Sequence, residues 1–333
     1  MKKIGYIVLV CILVLSSCKE TTDKKEAINS EPEGAMAKSS GRFNHLTIVM
    51  ENDLWEGEVG EAVRKHLAAP VDGLPQEEPL FTMRQMPNVA FSGFARKNRT
   101  FIQIKKEQPT EAFTILKNKF ATPQVGIVIQ EKTNHKIIAV LEKHLETITE
   151  AFKKVEIAEK QQVISKSLEK IPALADKLKV QLKISSAYRV AKETENFFWI
   201  RKDIPQGSLN LMVYELPKYT IAKDTNIVAQ LIKMRDSIGA KEILTDDGGV
   251  FVTEEAYAPY LFDATIDDHY AYEMRGTWEV KNKFMAGPFV NYAIEDKANN
   301  RLLVLEGFVF APSISKRDYI FELEAMIKSA KLL

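Results

Sequence analysis

Apolar and polar residues follow two rhythms along this chain, and the changes between them mark out the elements. The clearest rhythm is helical: Ile138, Leu141, Leu145, Ile148, Phe152 and Val155 recur every three or four residues after Asn134, a favourable cap. The stripe weakens through Ile164 and Leu168 and stops or bends near Pro172. A helix continuous from 135 to 168 would be ~50 Å long, so a bend is expected within it. Its single stripe must lie across a sheet or against a partner. A second helix carries Ile227, Leu231, Met234 and Ile238, with Asn226 as cap and Gly239 at its expected end. A third, over 316–331, presents Tyr319, Leu323, Met326, Ile327 and Ala330 on one face. Shorter helical patterns cover 61–67 and 111–120.

Strand patterns fill the spaces between. They fall at 46–50, 80–86, 91–95, 100–105 and 125–130, then at 180–185, 197–201, 209–215, 250–253, 270–281, 289–295 and 301–310. The polar run Asp296-Lys297-Ala298-Asn299-Asn300 joins the last two as a hairpin. Period-two alternation puts Phe197 and Trp199 on one face and Phe198 on the other. Strands adjacent in sequence, with helices closing each block, predict an α+β fold. Its sheets are largely antiparallel with helices packed on their faces, and one long helix lies near the middle of the chain. At roughly 150 residues per domain, 333 residues suggest two units. We place them at 42–170 and 171–333, two αβ units of similar grammar.

The first eighteen residues concern the compartment. Lys2 and Lys3 precede an apolar stretch from Ile4 to Leu15, too short to span a bilayer, which takes about 20 residues. The pattern is that of a signal peptide over residues 1–17. Leu15-Ser16-Ser17-Cys18 resembles a bacterial lipobox, with small residues at the peptidase subsites and a thiol at Cys18 to be acylated. Cys11 is the one other cysteine and lies in the segment to be removed, so the mature chain would have no thiol for a disulfide, a metal or catalysis. From Lys19 to Gly41 there is no aromatic residue, and Lys, Glu, Thr, Ser and Ala dominate. Such a segment cannot bury enough surface to order itself, so 18–41 reads as a lipidated tether. The expected location is the cell envelope, membrane-anchored, at the periplasmic face or outer surface.

Three stretches carry a family resemblance beyond the lipobox: Trp55-Glu56-Gly57, the run from Gly73 through Leu74-Pro75-Gln76-Glu77-Glu78-Pro79-Leu80 to Phe81, and Leu305 to Pro312. Together they resemble a family of Bacteroidota lipoproteins known as a domain of unknown function, DUF4837, over about residues 40–333. The resemblance implies an exported lipoprotein and supplies no catalytic or ligand residues. The order of elements in 178–333 is also loosely similar to Mog1/PsbP-like sandwiches, a fold of binding and assembly proteins.

Composition narrows the chemistry. The chain is 45% hydrophobic and 27% charged, which suits a folded core. Its 46 Lys+Arg against 45 Asp+Glu leave +1, and loss of Lys2 and Lys3 makes that −1. This is no basic nucleic-acid binder. Phosphate-loop, dinucleotide, nucleophile-elbow and zinc-helix motifs are absent, and no motif calls for a cofactor.

Three clusters remain. Gln76, Glu77 and Glu78 sit between Pro75 and Pro79, which hold the backbone off helical geometry; they form a candidate binding loop or carboxylate pair. Asp263, Asp267, Asp268, His269 and Glu273 offer oxygen and imidazole ligands to a divalent cation, without EF-hand spacing. A solvated acidic turn fits that stretch as well, and Asp246-Asp247-Gly248-Gly249 reads as a turn. Tyr257, Tyr260, Phe262, Tyr270 and Tyr272 join Phe197–Trp199 as aromatics suited to glycan or peptide binding where exposed.

The sequence thus points to a lipid-anchored envelope protein acting by binding or assembly, with an envelope protein as partner. The competing readings are a carboxylate hydrolase of the envelope and a metal- or glycan-binding lipoprotein. Convergence of the Glu77/Glu78 loop with Asp267 and Glu273 on one desolvated pocket would favour chemistry.

Overall fold

The computed structural model describes residues 36–222, 226–243 and 248–333. The expected leader, Cys18 and the expected tether up to residue 35 lie outside the described residues, as do Asp246 and Asp247. Backbone pairing begins within the last residues of the expected tether over 18–41, where Ala37 O already accepts from Thr122 N–H. Ser39 N–H donates to Thr122 O and Ser40 N–H to Lys97 O.

The first half builds a small sheet from β1 (His45–Val49), α1 (Asn52–Glu56), α2 (Glu58–Leu67), β2 (Thr82–Met86), β3 (Thr100–Lys106), β4 (Phe113–Lys117), β5 (Val125–Glu131), α3 (Asn134–Lys143) and α4 (Leu145–Ile164). Strand order is β2-β1-β3-β5-β4. The α+β class holds, yet this sheet is mostly parallel: β2, β1, β3 and β5 all run the same way, and β4 alone opposes β5. A parallel pair needs a crossover, and α1–α2 supply it between β1 and β2. Val59, Val63, Leu67, Ile137, Leu141, Ile148 and Phe152 cover one face of the sheet.

The second half contains β6 (Leu168–Glu169), α5 (Pro172–Leu178), β7 (Val180–Gln181), β8 (Ile184–Ser185), β9 (Arg189–Glu193), β10 (Phe197–Ile204), β11 (Gly207–Pro217), α6 (Ile227–Glu242), β12 (Phe251–Thr253), β13 (Tyr260–Ile266), β14 (His269–Val280), β15 (Ala286–Asp296), β16 (Arg301–Phe310), α7 (Arg317–Ile327) and β17 (Lys331–Leu332). Its large sheet runs β12-β14-β15-β16-β11-β10-β9, with β13 also on β14, and every pairing is antiparallel. Alternation divides the sheet cleanly. Phe197, Met212, Val304 and Phe308 pack beneath α6, while Phe198, Leu211, Leu305 and Tyr292 pack beneath α7 and α5.

The long helical stripe is two helices. They meet at His144, where φ −107° and ψ 11° leave helical geometry and the ring stacks on Phe113 at 4.0 Å. The cap is Thr133, one residue earlier than expected, its hydroxyl accepting from Lys136 N–H. α4 joins the two halves: Ile148 and Phe152 belong to the core of the small sheet, and Ile164 to that of the large one. At 20 residues it spans roughly 30 Å, enough to reach both.

Three local expectations are corrected. Residues 111–120 form β4 rather than a helix, because Phe113, Ile115 and Leu116 satisfy either period and pairing with β5 decides. Residues 91–95 lie in short 3-10 turns instead of a strand, where Gly93 takes φ +47°. Gly239 does not end its helix, since α6 runs on to Glu242. A Cβ at 239 would stand 2.5 Å from the Phe251 ring, so this glycine serves the close approach of β12 to α6.

Candidate functional site

The proline loop over 69–80 is closed at its neck. Leu80 N–H donates to Ala69 O and Val71 N–H to Glu78 O. Gly73, at φ +79°, presses on β14; a Cβ there would lie 2.8 Å from both Arg275 Cβ and Gly276 N, so no side chain fits. Leu74 packs into the core beneath α7.

The three candidate residues of this loop do different work. Glu78 accepts from Lys316 N–H at 2.5 Å and Arg317 N–H at 3.1 Å, filling donors that the start of α7 leaves open. Gln76 Oε1 accepts from Lys316 Nζ at 3.3 Å. Glu77 is exposed, with no hydrogen bond or ion pair among the described residues.

Between this loop and the segment before β13 runs a groove of about 740 Å³. One wall is Pro70, Asp72, Pro75 and Glu77; the other is Tyr257 and Tyr260, which are 65% and 50% exposed. Gly276 and Thr277 form the floor. Thr277 is 5% exposed, and its hydroxyl has no hydrogen-bond partner among the described residues. Two of the clusters seen in the sequence, the proline loop and part of the aromatic set, therefore meet here.

Beside it, across the join of the two halves, a cavity of about 50 Å³ is lined by Phe81, Lys153, Arg275, Arg317 and Glu324, among others. Arg275 Nε donates to Glu273 at 2.5 Å and its Nη2 reaches Glu324 at 2.8 Å; Lys328 Nζ lies 2.7 Å from Glu324. Burial opposes the charge of Glu324, but Arg275 and Lys328 overcome it and hold the carboxyl well below the usual range. Burial, then Glu324, pushes the Tyr292 phenol up. Desolvation lowers the Lys153 ammonium; Glu324 opposes that shift, while Arg275 and Lys328 add to it.

The acidic cluster is spread along one hairpin. Asp267 and Asp268, at φ +47° and +63°, are the two turn residues between β13 and β14, the geometry of a type I′ turn. Asp267 accepts from Lys331 Nζ at 2.6 Å and Leu332 N–H at 2.8 Å, which draw its carboxyl down. Asp268 is exposed, and His269 Nδ1 lies 2.6 Å from Asp267 O. Asp263 accepts from Tyr270 Oη at 2.5 Å, and Glu273 is held by Arg275. Among the described residues, no group of three or more His, Cys, Asp or Glu could hold a metal ion.

Nor do Glu77 and Asp267 converge. Glu77 lines the groove at the open end of the hairpin, by Tyr260, while Asp267 sits at its turn, roughly 23 Å along the strand. Glu273 is neutralised by Arg275 rather than free to work.

Of the other aromatics, Phe197, Phe198 and Tyr272 are buried. Phe197 and Trp199 pack on the α6 side and Phe198 on the α7 side, as alternation requires. Tyr260 stacks on Phe262 at 6.5 Å. Sequence reading missed Asp72 and Thr277 in the groove and the Arg275–Glu324 network beside it. No spacing signals them, because strand and loop meet from opposite halves. The glycine at 73 was the one local trace.

No helix of the described residues is long and apolar enough to cross a membrane. The family models divide the chain just after α4. The run from Leu74 to Phe81 falls in the first match and not in the DUF4837 region, which begins at 167 rather than near 40. No curated protein matches the chain. A solved structure, that of LpqN involved in cell envelope biogenesis of Mycobacterium tuberculosis, matches 46% of this chain and 82% of its own. Its identity is 11% and its TM-score 0.28, too slight a likeness to carry an argument. Residues 167–329 match the DUF4837 family model and residues 39–165 the DUF8532 family model, each a domain of unknown function.

Proposed function

We propose that this protein is a lipid-anchored component of the cell envelope that acts by binding, docking a protein partner in the groove between the proline loop and Tyr257 and Tyr260. The lipobox ending at Cys18 supports the anchor and the compartment. The observation that carries the binding role is the groove itself. It pairs a wall stiffened by its own neck hydrogen bonds with two exposed tyrosines over a bare floor. A preformed wall lowers the ordering cost of association, and tyrosines give apolar area with a polar tip. The dispersal of the carboxylates favours binding over hydrolysis, because Glu78, Glu273, Asp263 and Asp267 are each held by a structural partner.

Two measurements test the two parts. Cys18→Ala should move the protein from membranes to the soluble envelope fraction; a variant that still sediments would remove the lipid anchor. Intact lipidated protein drawn from gently solubilised envelopes should bring a stoichiometric partner, and Tyr257→Ala with Tyr260→Ala should lose it. Equal recovery by the double variant would show that the groove is not the docking site.

A further inference from the structure

We infer that the groove receives a basic, extended segment of its protein partner, with Asp72 and Glu77 facing cationic side chains and Tyr257 and Tyr260 packing along the apolar part. This rests on the groove being the docking site and goes on to name the chemistry of what it takes.

Charge is the first argument. Among the described residues that line it, the groove has two carboxylates, Asp72 and Glu77, and no Lys, Arg or His. Both carboxylates are exposed and neither enters an ion pair or hydrogen bond among the described residues. The cations that touch this loop have partners of their own: Arg275, against Gly73, holds Glu273 and Glu324, and Lys316 holds Gln76 and the Ile314 carbonyl. A cleft that carries carboxylates without counter-charges presents a negative field that selects cations. The tyrosine faces add to this, because aromatic rings attract Lys and Arg side chains.

Shape is the second. Gly276 in the lining has no side chain to fill the groove. Pro70 and Pro75 stand opposite the tyrosines. A groove lined by prolines and aromatic rings suits a chain in polyproline conformation, which arrives with little conformational freedom left to lose.

The test is fluorescence anisotropy with full-length lipidated protein in detergent and labelled octapeptides of alternating Lys-Pro, Gln-Pro and Glu-Pro. The Lys-Pro peptide should bind saturably and the Glu-Pro peptide should not, with Gln-Pro between them. Asp72→Asn with Glu77→Gln should weaken Lys-Pro binding about tenfold and flatten its salt dependence. Both carboxylates are exposed, so the melting temperature should hold. Tyr257→Ala should weaken all binding. Equal binding of the three peptides, or an unchanged affinity in the carboxylate double variant, would overturn the inference. So would binding of a neutral N-acetylglucosamine tetramer in place of any peptide. The two readings fail separately. If envelope capture is lost with the tyrosines but survives neutralisation of Asp72 and Glu77, docking stands and the basic ligand falls. If capture survives loss of the tyrosines, both fall.

Discussion

The two faces of the large sheet are built to different ends. Beneath α6 everything comes from the second half. Arg235 and Glu306, both 0% exposed, pair at 2.9 Å, with Asn291 donating to Glu306 and Arg235 to Thr253. The opposite face is where the chain closes on itself. α4 brings Lys160 to Glu322 and Gln161 to the Ala325 carbonyl, Glu78 caps α7, and Arg317 donates to Pro79 O and Thr82. One face is a sealed core and the other a seam. The groove belongs to the seam, where segments that never met in sequence leave a surface between them. A buried ion pair within one half guards a local packing, whereas the same chemistry at the seam fixes how two halves meet.

The sharpest break of that contrast should come from the sealed face. Glu306→Ala leaves Arg235 buried without its counter-charge and should cost about 3–5 kcal/mol in urea unfolding. The fold should be weakened without any change at the groove in the protein that remains folded. Next in size is Gly73→Ala at the seam. Its positive φ and the 2.8 Å approach to Arg275 make about 1–3 kcal/mol the expected loss, with faster proteolysis confined to the proline loop. Adjacent glutamates then sharpen the comparison. Glu78→Ala removes a helix cap and should cost about 1 kcal/mol, while Glu77→Ala should stay within about 0.5 kcal/mol and show itself only in binding.

The subtlest effect is a difference of sign with pH. Burial pushes the Glu306 carboxyl up, Arg235 and Asn291 only partly offsetting it; Glu324 is held low by Arg275 and Lys328 against its own burial. A lowered carboxyl stabilises above its unfolded pKa, and that contribution fades as pH falls toward the folded value. A raised one contributes most below its unfolded pKa and loses it as pH rises through the folded value. Set against wild type from pH 7 down to pH 4, the deficit of Glu324→Gln should therefore shrink and that of Glu306→Gln should grow. Parallel profiles would contradict the assignment of the two networks.

Much of this fold is legible in the sequence because it is local. The strands at 209–215, 289–295 and 301–310 show long apolar runs bounded by turns, and α3 with α4 shows one stripe from Ile138 to Val155. What stays hidden depends on partners far along the chain. The direction of β1, β2, β3 and β5 is settled by crossovers that periodicity does not report. β13 was missed because it lies at the edge and is half exposed, so Tyr260-Leu261-Phe262-Asp263 shows no clean alternation of burial. The acidic cluster was legible as residues and illegible as geometry. Two of its aspartates are simply what a type I′ turn accepts. The groove follows the same rule: Glu77 and Tyr257 stand out singly, and nothing short of the docked loop puts them on facing walls.

The central claim is that the seam groove, and not exposed aromatic surface in general, is where the partner docks. It is tested most directly by placing photo-crosslinking benzoylphenylalanine at Tyr257 or at Tyr219 in the intact protein in living cells. Tyr219 is 83% exposed and stands on the α6 side, so it controls for mere exposure. The account predicts one discrete crosslinked product from position 257, mapped to a basic segment of a single protein, and none from position 219. Equal products from both positions, or a product from 219 alone, would contradict it.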